Sequence, residues 1–193
     1  MRRAEIYTVG SKHVDARELL EYAYDGINAS SIKGACTACI LDITKDARMT
    51  WANLGDSGFR IIRKGGLFFE SPMQESAYNT SFQFSNIEGS ATHTPEHADH
   101  GTHQLMDGDI IIIATDGLYD NVATDEIISI VSKGCPDADQ AAVNLVSRAR
   151  WHMGDKTQET PWSRRASQHK GKDVIGGKRD DIACIVGHVN ILS

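Results

Sequence analysis

The run Asp109-Ile110-Ile111-Ile112-Ile113-Ala114-Thr115, bounded by Gly108 and Gly117, restricts most what this chain can become. A short continuous apolar segment of β-branched residues reads as a strand buried on both faces, so other layers must cover it from two sides. The rest of the chain can supply them: 193 residues, 40% hydrophobic and 24% charged, fit a single domain, 1–193, with a sizeable core. With 20 Lys+Arg against 26 Asp+Glu the net charge is −6, which excludes a basic nucleic-acid binder as the default. No run approaches the roughly 18 consecutive apolar residues of a membrane span, and no apolar signal region follows Met1-Arg2-Arg3-Ala4-Glu5. Without an export signal, Cys36, Cys39, Cys135 and Cys184 read as reduced thiols of an intracellular protein, and the Asn79-Thr80-Ser81 sequon carries no weight.

Ala16, Leu19, Leu20, Ala23 and Tyr24 recur at helical spacing between Val14 and Ala29, with Asp15 and Glu18 in the first turn. After Gly34 the period changes. Residues 36–43 and 49–54, separated by a Lys45-Asp46 turn, predict a hairpin, and Phe59–Arg63, Gly65-Gly66 and Leu67–Phe69 predict a second. Residues 71–104 are polar and irregular and read as a long surface excursion. Thr124-Asp125-Glu126 caps a helix over Ile127, Ile128, Ile130 and Val131, and Asp137 starts another over Ala141, Ala142, Leu145, Val146 and Ala149. Residues 154–179 are polar and basic, and Ile182–Val186 is a last strand. Helix, antiparallel hairpins, helices and strand, with no repeat, predict an α+β fold of antiparallel layers.

Acidic residues stand at the ends of three apolar strands: Asp56 in Leu54-Gly55-Asp56-Ser57-Gly58, Asp116 in Ala114-Thr115-Asp116-Gly117, and Asp180-Asp181 before the last strand. Carboxylates so placed, with glycine beside them, can converge on a hard cation such as Mg²⁺ or Mn²⁺. Taken singly, each is also an ordinary turn sequence. Taken in order, Asn53–Gly58, Ile113–Asn121 and Gly176–Ile182 resemble three motifs of the metal-dependent protein phosphatase 2C (PPM) family. The segment Tyr78–Phe84 is similar to the short branch of that family that includes mitochondrial-matrix members. The resemblance runs from about residue 20 to the end of the chain.

The resemblance implies a four-layer α-β-β-α sandwich of two antiparallel sheets, with a binuclear Mn²⁺ or Mg²⁺ site at one edge that hydrolyses phosphoserine and phosphothreonine in phosphoprotein substrates. By motif, Asp116 and Asp180 would ligate the first metal, and Asp56 and Asp120 would correspond to carboxylates holding a further, weaker one. No side chain attacks: water activated by the metals is the nucleophile, and no cysteine is required. The family's Asp-Gly-hydrophobic-Gly-Gly motif, which bridges the two metals, has no counterpart here. Asp25-Gly26 lies inside the first predicted helix, and Arg2, Arg3 and Arg17 stand in the wrong context for the family's phosphate-binding arginine. Met1 is therefore read as an internal start and the domain as N-terminally incomplete, which predicts exposed sheet edges, low solubility and little or no turnover. A phosphatase-like module that binds phosphoproteins without hydrolysing them is the alternative. Substrate contacts, oligomeric state and the choice between cytoplasm and mitochondrial matrix are not legible.

Four further signals are weighed. His93, His97, His100 and His103 are dense enough to suggest zinc, but no cysteine lies nearby and the spacing fits no zinc motif, so they read as a polar loop. Cys36-Thr37-Ala38-Cys39 has redox spacing but falls on a strand. Gly171–Lys178 fails the phosphate-loop spacing, and the basic stretch Arg164–Arg179 reads as a solvated loop, the alternative being a guide that draws an acidic phosphoprotein toward the metal edge.

Overall fold

The computed structural model describes residues 15–132 and 137–191. Cys135, Arg2, Arg3 and Val14 lie outside them. Helix α1 (Ala16–Ala29) starts where the Asp15 carboxylate accepts the N–H groups of Arg17 and Glu18, at 2.9 and 3.0 Å. Two β-residues, β1 (Ala35–Cys36), precede the hairpin of β2 (Ala38–Ile43) and β3 (Arg48–Leu54). The second hairpin joins β4 (Gly58–Arg63) to β5 (Gly66–Glu70) through Lys64 and Gly65, both at positive φ. Short strands β6 (Glu75–Ala77), β7 (Thr80–Ser81) and β8 (Phe84–Ser85) follow, then a 3-10 turn at Pro95–His97 and strand β9 (Asp99–Gln104). Strand β10 (Ile110–Ala114) leads into a one-turn helix, α2 (Asp116–Tyr119). Helices α3 (Thr124–Ser132), α4 (Ala138–Gly154) and α5 (Pro161–Lys170) precede the last strand, β11 (Cys184–His188).

Two antiparallel sheets result, in strand orders β11-β10-β4-β5 and β2-β3-β9, with the small ribbons β1-β8 and β6-β7 beside them. Period-two alternation assigns the layers. Met49 and Trp51 of β3, Phe59 and Ile61 of β4, and Ile111 of β10 turn inward and form the core between the sheets. The alternate residues Ala52 and Leu54 pack on Ala16 and Leu20 of α1. Ile62, Ile112 and Ala114 pack on Ile127, Val131, Leu145 and Ala149 of α3 and α4. The chain is thus an α-β-β-α sandwich, and the isoleucine run is covered on both faces. Each fully buried large aliphatic side chain contributes roughly 1.5–3 kcal/mol.

Three sequence readings are corrected. Residues 71–104 are not all excursion: Asp99-His100-Gly101-Thr102-His103-Gln104 is a full strand paired with β3. It was illegible because its buried side is polar or small. His103 stacks on Trp51 and packs on Phe69, and Gly101 lies so close to the Trp51 indole that a Cβ would crowd it. Residues 154–179 contain α5, with Thr160 as N-cap, Pro161 in the first turn and Gly171 left-handed at the end. The last strand begins at Cys184, two residues later than read.

A buried ion pair ties β4 to the turn before β10. Asp109, 1% exposed, accepts Arg63 Nε at 2.8 Å and Arg63 Nη2 at 2.7 Å, and also the Met106 N–H at 2.8 Å. Burial alone would raise the Asp109 pKa, but the Arg63 and Met106 hydrogen bonds outweigh it and hold it below the usual carboxylate value. Its stabilisation is therefore fully present above about pH 4, the unfolded value, and is lost as pH falls through the folded one. Asp109→Asn is expected to cost about 3–5 kcal/mol at neutral pH by leaving Arg63 unpaired, and to flatten the loss of stability below pH 4. Urea unfolding of both proteins between pH 7 and 3 reads both effects.

Candidate metal centre

β4, β10 and β11 are neighbours, with Gly58 opposite Ala114 and Ala114 opposite Cys184, so the segments beyond these residues meet at one edge of the sandwich. Asp56 sits where the chain crosses from β3 in one sheet to β4 in the other. Gly55 makes that crossing at φ +103°, pressed against Thr37 and the Phe82 carbonyl where a Cβ would not fit. Asp116 opens α2 and Asp120 follows its last residue. Thr115 Oγ1 donates to the Asp181 carbonyl and accepts the Ala183 N–H, both at 3.1 Å, fastening the Asp180-Asp181 segment to the end of β10.

The structure brings Asp116, Asp120 and Asp180 onto one cation, the ammonium of Lys178, whose Nζ lies 2.6, 3.0 and 3.1 Å from their carboxylates. Asp56 joins the cluster electrostatically. Burial and then the charge of Asp116 push its pKa above the usual carboxylate value. Burial also raises Asp120, against the pull of Lys178. Burial opposes the Lys178 charge, but the hydrogen bonds its ammonium donates to Asp116 and Asp120 outweigh it and the ammonium is held charged. Asp180 is lowered because its bond to Lys178 outweighs burial. Asp120 also lies 3.5 Å from Arg165 of α5, which pairs with Glu75 at 2.7 Å and so links α5 to the β6-β7 ribbon at this edge.

No group of three His, Cys, Asp or Glu among the described residues stands in metal-ligand geometry, and Asp116, Asp120 and Asp180 meet on the lysine. Their chemistry still fits a hard divalent cation: oxygen donors only, three of them already gathered round a positive charge. The histidines do not compete as a site. His93 accepts the Gln83 N–H and stacks on Phe82, His97 closes the turn at Thr94, and half-buried His103 stacks on Trp51. Cys36 and Cys39 are free thiols on separate strands, and burial pushes Cys39 up to about 12. A groove of about 590 Å³ between α3 and α4 contains none of the four aspartates.

Sequence reasoning missed Lys178 and Asn121. The buried Asn121 amide donates to the carbonyls of Gly117 and Lys178, at 2.9 and 3.0 Å, and accepts the Lys178 N–H at 2.9 Å, locking the two acidic segments together. Asn121→Ala removes three hydrogen bonds to backbone groups, one buried and two part-buried, and is expected to cost about 2–4 kcal/mol, measurable by urea denaturation.

No family model matches the chain. It is 34% identical over 179 residues to probable protein phosphatase 2C 80 of Arabidopsis thaliana, an alignment covering 91% of this chain and 42% of that protein. It is 33% identical over 172 residues to the protein phosphatase PTC7 homolog fig of Drosophila sechellia, covering 84% and 55%. The solved structure of the photosystem II phosphatase PBCP superimposes with a TM-score of 0.84 at 33% identity, over 92% of this chain and 72% of that one. The chain belongs to the protein phosphatase 2C family. A Streptococcus agalactiae serine/threonine phosphatase, 16% identical with a TM-score of 0.57, shares the fold alone. The 2C-type chain spans about half the length of the curated relatives it matches. Its α+β sandwich is the one the motifs implied, and no helix among the described residues is long and apolar enough to cross a membrane.

Proposed function

We propose that this chain hydrolyses phosphoserine and phosphothreonine in proteins, using Mn²⁺ or Mg²⁺ held by Asp116 and Asp180, with Asp56 and Asp120 serving a further cation. The observation that carries the reading is the convergence of carboxylates from the ends of adjacent strands on a single positive charge. When bound, the metal ions supply hydroxide from water at neutral pH and neutralise the phosphate oxygens. The chain's own residues supply placement. α2 fixes Asp116 and Asp120 one turn apart, Thr115 and Asn121 fix the Asp180 segment against them, and Arg165 steadies Asp120. A cysteine nucleophile is disfavoured, since burial raises the thiol of Cys184, opposite Ala114 at the end of β10, to about 11 and keeps it protonated.

Phosphate release from a phosphothreonine peptide, with Mn²⁺ and with a chelator, tests the reading. Slow turnover that the chelator abolishes is expected, slow because the sequence holds no Asp-Gly-hydrophobic-Gly-Gly segment. Turnover that persists in chelator contradicts it. That same missing segment favours the second reading, a module that binds phosphoproteins without hydrolysis, which folded protein that binds the phosphopeptide but releases no phosphate would support.

A further inference from the structure

Lys178 is built into the carboxylate cluster. Its N–H and its carbonyl are both bonded to the buried Asn121 amide. The preceding Gly177 is wedged against the His152 carbonyl and the Asn121 side chain, where no Cβ would fit. Its side chain is 17% exposed and ends 2.6–3.1 Å from Asp116, Asp120 and Asp180. A lysine fixed at its backbone and enclosed at its ammonium by three carboxylates is not a solvated surface charge.

We propose that Lys178 is a tethered cation that competes with the divalent metal for Asp116, Asp120 and Asp180, and thereby sets how tightly the chain holds it. The proposal rests on the reading above that these aspartates hold the metal. A divalent ion reaching them must break three charge-assisted hydrogen bonds and displace the ammonium, which stays nearby on its stem and repels the newcomer. Lysine suits the task better than arginine. Its charge is a point on a flexible four-carbon chain with three rotatable donors, which can both fill a cation position and leave it. In exchange, the ammonium relieves repulsion among carboxylates that Asn121 and Thr115 force together. Lys178 therefore weakens metal binding while steadying the cluster at low metal concentration.

The test is calorimetric titration of Mn²⁺ at low ionic strength into chelator-stripped wild type, Lys178→Met, Lys178→Gln and Lys178→Arg, each shown to melt cooperatively. The neutral variants are expected to bind on the order of tenfold more tightly, with Lys178→Arg returning to weak binding. Metal-free Lys178→Met should melt below wild type and gain more from Mn²⁺. Equal affinities in all four proteins, or weaker binding in a folded neutral variant, overturn the competition but leave the metal reading intact. No Mn²⁺ binding by any protein overturns both. The wild type gives a mutation-free check by mass spectrometry: Mn²⁺ should speed reductive methylation of Lys178, and an unchanged or slower rate overturns the proposal.

Discussion

Asp116→Asn should lower Mn²⁺-dependent phosphate release by about 100-fold or more, because it removes a charged oxygen ligand from a metal whose electrostatic contribution is worth several kcal/mol. The fold should survive. Asparagine has the shape of aspartate, and Lys178 keeps Asp120 and Asp180 as partners at 3.0 and 3.1 Å. Stability is therefore expected to fall by only about 1–2 kcal/mol, the order of one charge-assisted hydrogen bond in a part-buried cluster. Initial rates at saturating Mn²⁺, read beside urea denaturation, separate the two effects. A variant that unfolds would assign Asp116 a structural role, and one that keeps full activity would remove it from the metal site.

Gly117→Ala should damage both stability and the site. Gly117 packs directly on the backbone of the Asp180-Asp181 segment, and an added methyl would collide with the Asp181 carbonyl oxygen. Neither side can yield by turning a rotamer, since both are backbone. The Gly117 carbonyl is bonded to Asn121, and the Asp181 carbonyl to Thr115. Relief requires the segments to separate, which is expected to cost about 2–4 kcal/mol, overpacking plus lost buried hydrogen bonds. The same separation moves Asp116 away from Asp180, so Mn²⁺ affinity should fall with stability. Thermal unfolding and Mn²⁺ titration on the same preparation would show the two losses together.

The contrast between β9 and β10 shows what the sequence made legible. Short runs of apolar, β-prone residues located β3, β4 and β10, which are buried on both faces along most of their length. It could not locate β9, whose six residues include no large aliphatic side chain and whose place in the sheet depends on tertiary contacts between His103, Gly101 and the aromatic rings of Trp51 and Phe69. α5 failed for a different reason. Its stop and start signals, Thr160-Pro161 and Gly171, are local and were available, but its interior is so polar that no apolar stripe drew attention to them.

The acidic residues themselves were legible because aspartates recur beside the ends of apolar strands, two of them next to glycine, in segments that resemble the family's motifs in order. Their electrostatic setting was not. Lys178 reads in sequence as one more positive charge in a basic stretch. Its role as counter-ion depends on the turn at Gly176-Gly177, where Gly176 has φ +104° and Gly177 lies against His152 and Asn121. Asn121 likewise reads as a helix-end residue until the loop before β11 is folded against it.

Anomalous diffraction at the manganese edge from crystals of this chain soaked in Mn²⁺ tests the central claim most directly. A peak in contact with the carboxylates of both Asp116 and Asp180, with the Lys178 ammonium moved out from between them, is the predicted result. Crystals in which no manganese touches these aspartates, and Lys178 still bridges Asp116, Asp120 and Asp180, would contradict it.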